Sequence, residues 1–135
     1  MNKIIITLVM GMSFALSSMA GASPVLEKLK MKAEQENASF QGFDAQRGKV
    51  LFETKFGLGK AETPSCTTCH GSSPFTQGLT RAGKVIEPMA SSKTPARYMD
   101  QRKVDKWFRR NCNSVLNREC SLQEKGDFLT YMMSQ

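Results

Sequence analysis

The residues with the most chemistry to offer are Cys66-Thr67-Thr68-Cys69-His70. Side chains three and four apart on a helical turn share a face, so both thiols and the imidazole would point the same way. C-x-x-C-H is the attachment signature of c-type haem: the thiols add to the two vinyl groups and the imidazole becomes the proximal ligand of iron. His70 is the only histidine in the chain, which excludes a polyhistidine metal site. Two other uses of the cysteines compete. Cys66 and Cys69 could join Cys112 and Cys120 in a zinc site, or they could form a thioredoxin-like redox pair, which needs a βαβ setting.

The iron's sixth position has several candidates. Met89 follows Pro88 in the long connection after the motif, and Met99 precedes an N-cap, so either could reach the iron or simply fill core. Asn111 follows Val104, Trp107 and Phe108 at helical spacing and would continue their apolar face. An Asn there is either a buried group with a partner or the cap of a helix end.

These residues need elements to hold them. Residues 1–22 have Lys3, an apolar run from Ile4 to Leu16 and a small-residue Ala20-Gly21-Ala22 end, the pattern of a cleaved secretory signal peptide. Export places the chain in the periplasm, argues against nucleic acid as a partner despite a net charge of +7, and allows disulfides. Cys112 and Cys120, eight apart, then pair by default, with two unpaired thiols as the alternative.

Beyond residue 22, Val and Ile are too scarce for the strands of a normal sheet, and no stretch alternates with period two. The expected fold is all-α. Helices are expected over 24–38, 44–56, 100–111 and 121–134. Asp44 and Asp100 serve as N-caps, and Ser121 with Glu124 as a capping box. Residues 23–42 form a helical extension and 43–135 the haem domain. From Lys60 to Arg97 the chain is rich in Gly, Pro, Ser and Thr, too long for an unsupported loop. A large flat apolar group for it to wrap supplies the missing core.

Here the sequence resembles a known family. The stretches Thr63–Gly71, Thr80–Lys84, Lys106–Val115 and Arg118–Cys120 are similar to the class I cytochromes c of the sphaeroides haem protein type, from about Phe43 to the C-terminus. Gly48 and Phe52 resemble the Gly/aromatic contact between the first and last helices of class I cytochromes. The resemblance implies a small helical domain wrapped around one covalent haem c held by Cys66, Cys69 and His70. It implies Asn111 as a displaceable sixth ligand that yields to O2, NO or another small ligand, and a Cys112–Cys120 disulfide. It further implies electron acceptance from a dihaem cytochrome c or a membrane cytochrome b. A monomer is expected. The rival function is a plain His/Met electron carrier with Met89 on iron. A weak reductase activity on O2 or NO finds no second acid–base histidine. Arg97, Arg102, Lys103, Lys106, Arg109 and Arg110 form a basic cluster, either a solvated face or a docking patch for an acidic redox partner.

Overall fold

A computed structural model describes residues 23–135, so the expected signal peptide lies outside the described residues. The elements run α1 (Pro24–Glu36), α2 (Ala45–Glu53), α3 (Thr67–His70), β1 (Gly78–Leu79), β2 (Val85–Ile86), a 3₁₀ turn (Pro95–Tyr98), α4 (Gln101–Leu116) and α5 (Leu122–Met133). The fold is all-α. Its strands are two residues each, paired antiparallel with Gly78 opposite Ile86.

Each long helix starts on a side-chain cap. Ser23, Asp44, Asp100 and Ser121 accept hydrogen bonds from Leu26 N, Arg47 N, Lys103 N and Glu124 N. Ser121 and Glu124 complete both arms of the capping box. The helix starts fall where the caps put them. α2 ends at Glu53, three residues before the expected end. α4 ends five residues after it.

The cause of the α4 extension is burial. Val104, Cys112, Val115 and Leu116 are buried and Phe108 packs beside them, so the apolar stripe runs on past residue 111. Cys112 and Asn113 are thus helical rather than part of a connection, and the Asn113 amide donates to Arg109 O at 2.6 Å. Asn117 takes the left-handed conformation, φ 57°, and closes the helix.

The core forms where α2 crosses α5. Phe52 is fully buried, with its ring 6.3 Å from Phe128 and 6.2 Å from Tyr131. The crossing is close because Gly48 has no side chain: a Cβ there would run into the Asp127 carbonyl. α1 packs its Val25, Leu29 and Ala33 onto the same core, which also holds Met89 and Tyr98. Asp127 is buried on this crossing and fully satisfied. Its carboxylate accepts from Asp44 N at 2.7 Å, Arg47 Nε at 2.7 Å and Gln123 Nε2 at 2.9 Å. Gly48→Ala is expected to destabilise the fold by about 2–3 kcal/mol through overpacking. A chemical-denaturation midpoint shifted accordingly, with an unchanged slope, is the check.

Candidate haem site

The motif occupies one short turn. His70 N donates to Cys66 O at 3.2 Å and Cys69 N to the same carbonyl at 3.3 Å. Ser65 Oγ lies 2.7 Å from Thr67 Oγ1 and 3.1 Å from Thr68 Oγ1, so hydroxyls brace the start of the turn. Gly71, φ 73°, ends it in a conformation open to glycine. Gly78 lets the β1 backbone lie against the Cys69 carbonyl and His70 Cα, where a Cβ would collide. The turn is therefore held from both sides although it has only four helical residues.

Cys66 and Cys69 are free thiols and are not bonded to each other. Burial pushes the Cys66 thiol up to about 11, so at neutral pH it is S–H. Addition of S–H across a vinyl group places the hydrogen on carbon and consumes no oxidant, which suits two unbonded thiols. Burial, helped by the Arg97 charge, lowers His70 to about 4. The ring is thus neutral at pH 7, the form that ligates a metal. Its Nδ1 is buried without a hydrogen-bond partner.

The surroundings fit a large apolar group. Leu58, Phe75, Leu79, Val85, Met99 and Trp107 are large apolar side chains that other parts of the chain leave uncovered. These six lie between residues 58 and 107, on the segments that flank the motif and on α4; Met31 on α1 and Val50 on α2 are exposed as well. A soluble chain rarely bares so much apolar surface from one region, and a porphyrin plane is the kind of group that covers it.

The sixth-ligand candidates separate. Met89 is buried at 7% exposure in the α1–α5 core, and its carbonyl accepts from Tyr98 Oη at 2.6 Å. It packs as core. Met99 is exposed. Asn111 does not continue the buried stripe of α4, which runs through Val104, Phe108 and Cys112 instead. It shares a neighbouring flank with exposed Trp107 and half-buried Ser114. With Lys60, Arg110 and Asn113 these line a cleft of about 390 Å³. The expectation that Asn111 continues the apolar face is corrected, and so is the alternative of a helix-end cap. Asn111 lies seven residues and only about 20° from Val104 around the helix, but Cys112, Val115 and Leu116 carry the buried stripe away from it, and α4 runs on to Leu116.

Cys112 and Cys120 form a disulfide with a Cα–Cα distance of 5.6 Å. It ties the last turn of α4 to the start of α5, and a bridge across so short a loop contributes roughly 2–3 kcal/mol. The disulfide removes two of the four thiols a zinc site would need. Among the described residues no cluster of His, Cys, Asp or Glu is arranged to hold a metal ion. The redox-pair reading loses its βαβ setting as well.

Sequence reasoning missed two sets of contacts. One is the Asp127–Arg47–Gln123 network, whose signal was a charged residue on the core face of α5. The other is Arg97. Its Nε donates to Pro88 O at 3.1 Å and its guanidinium to Glu87 O at 2.6 Å, so it braces the connection before Met89. Arg97 therefore stands apart from the rest of the basic cluster.

An all-α domain with a C-x-x-C-H turn and uncovered apolar walls defines a small c-type cytochrome. A family described as "Domain of unknown function (DUF1924)" matches residues 38–132. The cytochrome c-type protein SHP of Cereibacter sphaeroides is 48% identical over 103 residues, 76% of this chain and 80% of that protein. The structure of oxidized SHP, described as an oxygen binding cytochrome c, superposes with a TM-score of 0.74 at 43% identity, covering 85% of this chain and all of that one. A solution structure of Methylophilus methylotrophus cytochrome c'', described in terms of haem-ligand detachment, has a TM-score of 0.69 at 28% identity, covering 82% and 90%. The chain belongs to this DUF1924 family of monohaem c-type cytochromes, whose cofactor is one covalently bound haem c.

Proposed function

We propose that the protein is an exported, periplasmic, monomeric cytochrome that accepts an electron and reversibly binds a small gaseous ligand, O2 or NO, in place of Asn111. Cys66 and Cys69 would carry the thioethers and His70 the proximal bond. Bound there, haem c supplies an iron that exchanges one electron and takes a small ligand. The chain does the rest. The neutral His70 ring provides the fixed ligand. Asn111 offers an amide oxygen, a hard neutral donor that suits ferric better than ferrous iron, so reduction loosens it. Its freed amide N–H group can then donate a hydrogen bond to the incoming ligand.

One observation carries this reading. Asn111 lines an open cleft beside Trp107, whereas Met89 is packed into the core with its backbone tied to Tyr98. A residue held in a core cannot be the easily displaced one. The similarity to an oxygen-binding cytochrome c and to one described by haem-ligand detachment supports it. The test is the optical spectrum of oxidised and reduced protein, repeated under CO. A high-spin ferric spectrum without a Met–iron charge-transfer band, and rapid CO uptake after reduction, are expected. A low-spin spectrum with that band, closed to CO, returns the protein to a plain His/Met carrier.

The redox partner would be an acidic protein, a dihaem cytochrome c or a membrane cytochrome b. α4 presents Arg102, Lys106, Arg109 and Arg110 without a carboxylate partner among the described residues. Exposed Trp107 sits between Lys106 and Arg110, whose charges lie 5.5 and 5.6 Å from its ring centre. Reduction by an acidic flavoprotein should slow as ionic strength rises. Reversing Arg102 and Lys106 together to Glu should slow it about tenfold at low salt. Stopped-flow rates indifferent to salt and to both reversals would make the cluster a solvated face.

A further inference from the structure

The segment between α2 and the motif turn is stapled to the far end of α4. Gly59 N donates to Val115 O at 3.0 Å and Lys60 N to Ser114 O at 2.7 Å. Thr63 Oγ1 lies 2.7 Å from Ser114 Oγ and 3.2 Å from Ser114 O. Gly59 has no room for a side chain, since a Cβ would run into the Ser114 carbonyl. The segment is closed on itself as well: Phe56 N donates to Pro64 O at 2.8 Å and Thr63 N to Lys60 O at 2.9 Å. Thr63 is buried, although it belongs to a loop.

The staple joins two parts of the site that are far apart in sequence. Thr63 is three residues before Cys66, and Ser114 is three residues after Asn111. Ser114, Asn111 and Lys60 also line the same cleft. The disulfide joins α4 to the start of α5 and does not include the strap. The strap from Gly59 to Thr63 is thus a direct tie between the chain entering the His70 turn and the helix that bears Asn111. Backbone bonds supply most of its strength, and the Thr63–Ser114 hydroxyl pair fixes its register.

We infer that Thr63 and Ser114 are positioning residues for Asn111: their hydroxyl pair sets the spacing between the His70 turn and α4, and so sets how readily Asn111 leaves the iron. The inference rests on the Asn111 reading above. Neither residue touches the reacting atoms. With the pair intact, Asn111 is presented at one distance from the motif. With it broken, α4 gains freedom, Asn111 is off the iron more of the time, and an external ligand enters faster.

The test uses the holoprotein in its ferric form, with cyanide as the probe ligand. Thr63→Val and Ser114→Ala should keep the haem covalently attached and raise the cyanide association rate about three- to tenfold. Thr63→Ser, which keeps the hydroxyl, should restore the parent rate. Exchange of the Gly59 and Lys60 amides, followed by mass spectrometry, should quicken in Thr63→Val and recover in Thr63→Ser. The Thr63→Val, Ser114→Ala double variant should do no more than Thr63→Val alone, which already removes both contacts to Ser114, whereas Ser114→Ala leaves the Ser114 carbonyl to accept from Thr63 Oγ1. In an Asn111→Ala background, Thr63→Val should leave the cyanide rate where Asn111→Ala alone put it. Faster amide exchange with an unchanged cyanide rate in both single variants would make the strap a structural staple only and overturn the inference. So would a Thr63→Val effect that survives in the Asn111→Ala background. If Asn111→Ala itself leaves spectrum and cyanide rate unaltered, the ligand assignment fails, and that result is separable from failure of the strap.

Discussion

A Cys66→Ala, Cys69→Ala double variant is expected to lose all acid–acetone-resistant haem and much of its ordered structure. The first loss is chemical, because the two thiols are the only groups on the motif turn that can form thioethers, and the other two cysteines are paired. The second is physical. Leu58, Phe75, Leu79, Val85 and Trp107 are left 44–60% exposed by the chain itself. Burying one such side chain fully contributes about 1.5–3 kcal/mol. About half of that remains to be gained at each of the five, together about 4–8 kcal/mol, a large share of the stability of an ordinary small domain, which is about 5–15 kcal/mol. The α2–α5 crossing does not depend on the haem walls and should retain helix, so far-UV circular dichroism would fall only in part. The connection from Lys60 to Arg97 should become sensitive to protease. Non-extractable haem in the double variant would sink the assignment of Cys66 and Cys69.

Much of this architecture could be read from sequence because its signals are local. Ser121 and Glu124 announce the start of α5, and Asp44 and Asp100 the starts of α2 and α4. The C-x-x-C-H turn is legible for the same reason: its chemistry is fixed by five consecutive residues. Helix ends were harder. α4 continues to Leu116 because Val115 and Leu116 find a pocket against Phe56 and Leu51, a tertiary fact with no local signature. The Cys112–Cys120 pairing was legible from spacing and export, yet its helical setting was not.

What lay beyond sequence was the long-range wiring. The strap from Gly59 to Thr63 onto Ser114 joins residues about fifty apart through backbone carbonyls, which carry no sequence code. The same holds for Ser23 Oγ donating to Tyr98 O at 2.6 Å across 75 positions. The burial of Met89 follows from that wiring. Ser23 holds Tyr98, Tyr98 holds the Met89 carbonyl, and Arg97 holds the two carbonyls before it. A methionine that looked free in sequence is fixed from three directions.

Replacing Asn111 with Ala should change the axial chemistry more than any other single substitution that leaves the haem attached. The α4 backbone is secured on either side of residue 111: Cys112 is bridged to Cys120, and Ser114 is tied to the strap. The exposed Asn111 side chain has no packing role to lose, so the fold should tolerate Ala within about 0.5 kcal/mol. The ferric protein should then lose its protein-derived sixth ligand and shift its optical spectrum. Association of cyanide with the ferric form should rise about tenfold or more, since no amide has to leave first. CO binding to the ferrous form should change little in rate, because reduction has already released the amide. Dissociation of a polar diatomic such as O2 should quicken, because the amide N–H that held it is gone; a neutral hydrogen bond contributes about 0.5–1.5 kcal/mol, or two- to tenfold. The control pair is Met89→Ala and Met99→Ala. Met89→Ala removes a buried side chain and should cost about 2–5 kcal/mol of stability with the ferric spectrum retained. Met99→Ala should likewise retain the ferric spectrum, at a smaller cost in stability because the chain's own core leaves its side chain exposed. A methionine variant that changes the axial spectrum while Asn111→Ala does not would reverse the assignment and leave a closed electron carrier.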